Sequence, residues 1–186
     1  MFLHGVTWNG LENILAARGD EAGVRITYHE GELELMSPSR SHEFVKTLLG
    51  RLLEVYAEEA GIELEGYGSW TIKKRAAESA AEPDECYVVG AREADAPDIA
   101  VEVVWTGGGI GKLAVYGQLG VREILYWHDN HLRLFSLGKD GRYRPAKRSR
   151  FLPGLDLNLV ERCLTESSQT RAVRRFRAAL RGERNR

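Results

Sequence analysis

The sequence predicts an α/β fold, and three stretches carry that prediction. Ile99–Trp105 is a short run rich in β-branched residues, preceded by Ala96-Pro97 and followed by the glycines Gly107–Gly109. A strand buried on both faces of an α/β sheet reads this way. Val45, Leu48, Leu49, Leu52 and Tyr56 form the apolar stripe of a long helix that Gly61 stops. VRITY and ELELM alternate on either side of His29-Glu30-Gly31, which predicts a β-hairpin. In its second strand Leu33 and Leu35 face one way, Glu32 and Glu34 the other.

The remaining elements follow in chain order. Asn9 and Glu12 have capping-box spacing, and Leu11, Ile14 and Leu15 share one face, so a short helix is expected to end near Gly19. Ser37-Pro38-Ser39 punctuates the chain before the long helix. Strands are expected around Ile62–Glu65 and Trp70–Lys73, and the polar, alanine-rich Arg75–Glu82 reads as a loop. A further ordered run starts at Pro83-Asp84 and continues as CYVV to Gly90. Leu113, Tyr116 and Leu119 predict a helix of about two turns closed by Gly120. Glu123–Trp127 and Leu132–Leu137 read as an antiparallel pair around Asp129-Asn130, with a strand-like piece at Arg142–Arg144 and a helical ending from Leu159–Leu164. No repeat or linker divides the chain. The expectation is one domain over residues 1–168 and a basic amphipathic helix and tail over 169–186.

Composition narrows the function classes. The chain has 186 residues, enough for one well-cored domain, and 43% of them are apolar. Its formal net charge of -1 hides a split, because the residues from Gln169 onward hold seven Arg and one Glu. The body is therefore acidic and is no basic platform for nucleic acid. Cys86 and Cys163 are too few for a disulfide framework and show no zinc spacing. Nothing resembles a signal peptide or a membrane span, so a cytoplasmic protein without a membrane partner is expected.

One residue does not belong in its strand. Glu102 sits among Ala100, Val101, Val103 and Val104, and a buried carboxylate must be neutralised, paired or metal-bound. Lys112 follows the glycines at the start of the next helix. A carboxylate on a buried strand with a lysine at the mouth of the following helix suggests a metal and a phosphate. The run GGGIGK is not a P-loop, which would need glycine at Thr106 and Ser or Thr at Leu113. There is no G-x-S-x-G elbow. His128 and His131 read as turn residues and Trp127 as packing, while Trp105 is core, loop packing or a base-stacking ring. In the basic ending, Val173, Phe176 and Leu180 have helical spacing. They support docking on the body more than a phosphate-tracking arm.

The blocks GELELMSP, EPDECYVVG and PDIAVEVVWTGGGIGKLAVYGQLGVREILYW, in this order and spacing, resemble the Uma2-type restriction endonuclease family over roughly Tyr28 to Leu157. The resemblance implies a PD-(D/E)XK nuclease core: a mixed central β-sheet flanked by helices, using Mg²⁺ or Mn²⁺ to hydrolyse nucleic acid, in the first place DNA. Carried over, Asp84 matches the acidic residue at the head of the first core strand and Glu102 the carboxylate of the next. The superfamily places a lysine two residues after that glutamate, where this chain has Val104. Lys112 stands for a lysine displaced into the following helix. Glu43 occupies a region where related nucleases keep another carboxylate, and Glu32 is its rival.

Geometry favours Asp84 over Asp98 as the partner of Glu102. Asp98 and Glu102 share a strand face but lie about 13 Å apart, too far for one ion with ligands at about 2.0–2.1 Å. Asp84, on a separate strand, can come alongside. Two other readings stay open: a nuclease-like fold that binds nucleic acid without cutting it, and a structural or interaction protein whose acidic residues serve stability. A homodimer would suit cleavage of both strands.

Overall fold

In the computed structural model, residues 1–19, 23–90, 93–104 and 111–184 are described. Trp105 and the glycines Gly107–Gly109 lie outside them, and with them the base-stacking reading of Trp105.

Two sheets enclose one helix. The larger sheet has the order β11-β10-β9-β8-β7-β4, built from β4 (Leu64–Gly66), β7 (Glu85–Val89), β8 (Ile99–Val104), β9 (Glu123–His128), β10 (His131–Leu137) and β11 (Tyr143–Ala146). Among the described residues only β8 and β9 pair in parallel, which makes this the mixed sheet that was expected. The second sheet runs β1-β3-β2-β6-β5, from β1 (Phe2–Leu3), β2 (Arg25–His29), β3 (Glu32–Met36), β5 (Ile72–Lys74) and β6 (Ser79–Ala81). Helix α3 (Lys112–Leu119) lies between the two. Its Val115, Tyr116 and Leu119 pack with Ile72 and Ala81 of one sheet and Ala100 and Ile124 of the other. Gly117 makes the fit possible, because a Cβ there would meet the Gly141 carbonyl oxygen at 2.9 Å. The close approach explains a glycine that costs helix stability.

The opposite face of the larger sheet carries the main core. There α2 (Arg40–Ala60), α4 (Leu157–Leu164) and α5 (Gln169–Arg184) cover Val101, Val103, Leu125 and Trp127. Leu48, Leu49, Leu52 and Leu53 of α2 are fully buried, each stabilising the fold by about 1.5–3 kcal/mol. Ser39 caps α2 by accepting from the His42 N–H, and Gly61 ends it in the left-handed conformation at φ 68°. Helix α1 (Trp8–Arg18) closes the outer face of the second sheet through Trp8 and Leu11 against Ile26, Tyr28 and Leu33.

Two expectations change. Thr7, not Asn9, caps α1 by accepting from the Gly10 N–H, and Glu12 pairs instead with Lys73 at 3.0 Å. The stretch expected to be a loop supplies β6, an inner strand whose Ser79, Ala80 and Ala81 are fully buried. Alanine has little strand propensity, but small side chains are what fit between α1 on one side and α3 on the other. The hairpin turns match their sequences, with left-handed Glu30-Gly31 and Asp129-Asn130 joining β2 to β3 and β9 to β10.

The basic ending docks. Ala172, Phe176 and Leu180 are buried in the main core. Arg177 reaches Glu58 at 3.2 Å and Arg181 reaches Glu59 at 2.9 Å, both on α2. We expect Phe176→Ala to cost about 3–5 kcal/mol, read as a lower urea midpoint with an unchanged slope. A loss below about 1 kcal/mol would place α5 outside the cooperative core.

Candidate active site

Residues alternate along β8. Ile99, Val101 and Val103 face the main core, whereas Ala100 faces α3, and Glu102 shares the face of Ala100. Glu102 is 0% exposed. Two side chains one turn apart on α3 meet it: Lys112 Nζ donates to Oε2 at 2.5 Å, and the Tyr116 hydroxyl donates a very short hydrogen bond to Oε1. Lys112 itself is mostly covered, with 16% of its side chain exposed.

Asp84 lies just before β7. Its N–H donates to the Val101 carbonyl at 3.1 Å, and its Oδ2 accepts from the Val103 N–H at 2.8 Å. The carboxylate thus bonds to the peptide group that follows Glu102. His42, in the first turn of α2 and also buried, brings Nε2 to 3.0 Å from the same Oδ2. That contact favours the protonated form of His42. Asp84 Oδ1 is buried and has no hydrogen-bond partner among the described residues.

That orphan oxygen separates Asp84 from the other buried acids. Glu82 receives Arg18 at 2.5 and 2.7 Å, Thr71 at 2.6 Å and the Ile26 N–H at 2.9 Å. Glu123 receives Ser149 at 2.5 Å, the Arg150 N–H at 2.9 Å and Ser136 at 3.2 Å. Asp98 binds the Val89 N–H at 2.9 Å near the start of β8, away from the Glu102 end. These three hold strands together. At Asp84 an acceptor has been desolvated without compensation, which is costly in a fold that needs it only for stability.

Electrostatics bind the group into one unit. Burial pushes the Glu102 carboxyl up, with Lys112 opposing and the Asp84 charge adding to the rise. Burial disfavours the Lys112 ammonium, but Glu102, Asp84 and Glu34 outweigh it and hold its pKa above the usual lysine value. For His42 burial again acts downward, and the Asp84 and Glu43 carboxylates reverse it to a net rise. Burial and then Glu102 push the Tyr116 phenol well up, so it stays a donor.

Asp84, Glu102 and Lys112 therefore come together. Glu43 stands one step back, with Oε1 3.5 Å from His42 Nδ1 and Oε2 2.7 Å from Lys46 Nζ. Glu32 is exposed and pairs with His4 at 2.5 Å. The acid of the hairpin that acts on Lys112 is Glu34. Sequence reasoning placed it on the same strand face as Glu32 without singling it out. It also missed His42 and Tyr116. The Lys112-Tyr116 spacing of one helical turn was a readable signal for the second, and nothing local marked the first.

The donor set suits a hard divalent cation: two carboxylates, one with a bare buried oxygen. Among the described residues no group of three or more His, Cys, Asp or Glu side chains is arranged to enclose a metal. Two carboxylates with waters and a substrate phosphate are what Mg²⁺ commonly takes.

A mixed sheet flanked by helices, with two acids and a lysine at the end of a central strand, defines a protein of the restriction-endonuclease-like class. The chain belongs to the Uma2 family, described as "Putative restriction endonuclease", which matches residues 11–172. No curated protein matches it. No helix among the described residues is long and apolar enough to cross a membrane.

The His42 shift gives a pH signature. A histidine whose pKa is raised on folding contributes stability that is complete below its unfolded value of 6.5 and is lost as pH rises through the folded value. In chelator, the stability gap between wild type and His42→Gln should be widest on the acid side and shrink with rising pH. A pH-independent gap in urea unfolding would show that His42 carries no charge there.

Proposed function

We propose that this protein is a divalent-metal-dependent endonuclease that hydrolyses phosphodiester bonds in nucleic acid, with DNA as its substrate. The observation that carries the reading is the convergence of Asp84, Glu102 and Lys112 at one end of β8, with Asp84 Oδ1 left unpartnered.

Asp84 and Glu102 would hold Mg²⁺ or Mn²⁺. When bound, the ion supplies Lewis-acid stabilisation of the charge on the phosphate and lowers the pKa of a water. The chain's own residues do the positioning. The Val103 N–H and His42 fix Asp84 through one oxygen and leave the other free. Tyr116 holds Glu102 from the side away from Lys112. Lys112 keeps its proton among three carboxylates, so it offers a fixed positive charge to a phosphate oxygen or to the attacking water. In the reaction, water oxygen bonds to phosphorus, the bond to one ester oxygen breaks, a proton of the water is given up to solvent, and the departing ester oxygen takes a proton from solvent to leave as a hydroxyl.

The metal arm of the test is calorimetric. Mg²⁺ or Mn²⁺ should bind the wild type, and Asp84→Asn or Glu102→Gln should weaken that binding by about tenfold or more while far-UV circular dichroism is unchanged. Equal affinity across the three proteins removes the site.

Cleavage tests the lysine. Lys112→Ala should leave metal affinity nearly intact and should abolish Mn²⁺-dependent nicking of plasmid DNA. Asp84→Ala, purified in parallel, controls for contaminating nuclease. Nicking that survives in both variants does not belong to this site. A wild type that binds DNA and metal but never cuts supports the binding-only reading.

A further inference from the structure

The register of the larger sheet sets side chains in a row beside the carboxylates. Glu102 of β8 is level with Tyr126 of β9, and Tyr126 is level with Arg133 of β10. Residues at the same level on neighbouring strands point to the same face, so all three lie on the α3 side. The contacts agree. Tyr126 packs edge-on against Phe135 with ring centroids 6.2 Å apart. Glu102, Lys112 and Arg133 all act electrostatically on its hydroxyl, after burial as the main cause of its raised pKa.

Arg133 is the exposed cation at the end of this row. It is exposed and has no ion-pair or hydrogen-bond partner among the described residues. On α5, Arg175 is turned to Glu166, Arg177 to Glu58 and Arg181 to Glu59. They also lie across the sheet, on the side of the main core. Lys147 follows Ala146, which pairs with Leu134 beside Arg133, and adds a second exposed cation at that edge.

We propose that Tyr126 and Arg133 form a track for the phosphodiester backbone of the DNA strand, leading away from the carboxylates across β9 and β10. This rests on the nuclease reading above and gives it a direction. Arg133 is two strand spacings from Glu102, about 10 Å at 4.7–4.9 Å each. Arg133 therefore meets a phosphate that neighbours, along the same strand, the one at the carboxylates. Tyr126, half-buried between them, offers a phenol to the intervening sugar-phosphate. The acidic side chains repel DNA on their own, and an exposed cation on the same face supplies the attraction that draws a strand across them.

The test is binding without cleavage. Fluorescence anisotropy of a short labelled DNA duplex, in chelator and over a range of salt, compares wild type with Arg133→Ala, Arg133→Lys and Arg174→Ala. Arg174 is exposed on α5 and serves as the off-track control. Arg133→Ala should bind about tenfold more weakly at low salt and flatten the log–log salt slope by about 0.9. Arg133→Lys should keep the wild-type slope, and Arg174→Ala should match the wild type. If Arg133→Ala binds with wild-type affinity and slope, the track is wrong and the metal site stands on its own test. An equal loss in Arg174→Ala also overturns it, because the attraction is then spread over the surface. A wild type that binds no DNA at any salt overturns the track and the DNA reading together, while metal titration of Asp84→Asn still judges the carboxylates.

Discussion

The structure turns on one ion pair, Glu102 with Lys112, inside an otherwise apolar layer. A carboxylate on a central strand is tolerable only with a cation and a donor brought to it. Lys112 and Tyr116 do both from a single helix face. To reach Glu102 they must point α3 at the end of β8. That placement in turn sandwiches α3 between the two sheets, where Val115 and Leu119 complete the apolar layer. The second sheet, the small residues of β6 and the close approach at Gly117 all follow from seating a helix there. Removing Lys112 therefore reaches further than one contact, since an unpaired buried charge costs more than the pair contributes.

The other buried acids show how differently a carboxylate can be used. Glu82 ties α1 to the second sheet and Glu123 ties β9 to the segment after β11, with both oxygens of each engaged. Asp84 is as buried as they are, and one oxygen is bare. Burial alone does not mark function. Burial with one unsatisfied acceptor, next to a second carboxylate and a lysine, is the combination that does.

Much of this was legible in the sequence, for physical reasons. The strand holding Glu102 was readable because a charge in a β-branched run has few innocent explanations. The preference for Asp84 over Asp98 rested on the family resemblance and on strand rise; Asp98 sits with Val89 and Arg122 near the far end of β8. What stayed hidden depends on tertiary neighbours. His42 is ordinary in sequence, a polar residue in a first helical turn, and acquires meaning only when α2 lays it against Asp84. Glu32 and Glu34 share a strand face, and which of them acts on Lys112 depends on how the hairpin sits relative to α3. The β6 strand was missed because alanine signals nothing by itself; its burial is imposed from both sides.

The position of the lysine has its own logic. Two residues after Glu102, on the same strand, a lysine would sit where Val104 now lies half-buried at the strand's last residue. It would then have to share that strand face with Glu102 while staying free for a phosphate. From the first turn of α3 the same ammonium approaches Glu102 across the layer, and the strand keeps an apolar side chain. The helix also carries Tyr116 one turn on, so a single element neutralises one carboxylate oxygen and satisfies the other. Lys112 feels Asp84 and Glu34 as well, which places its charge among three acids. Three acidic side chains around one ammonium leave an excess of acid in the group. A divalent cation bound at Asp84 and Glu102 would offset it, and the lysine could then turn toward an incoming phosphate.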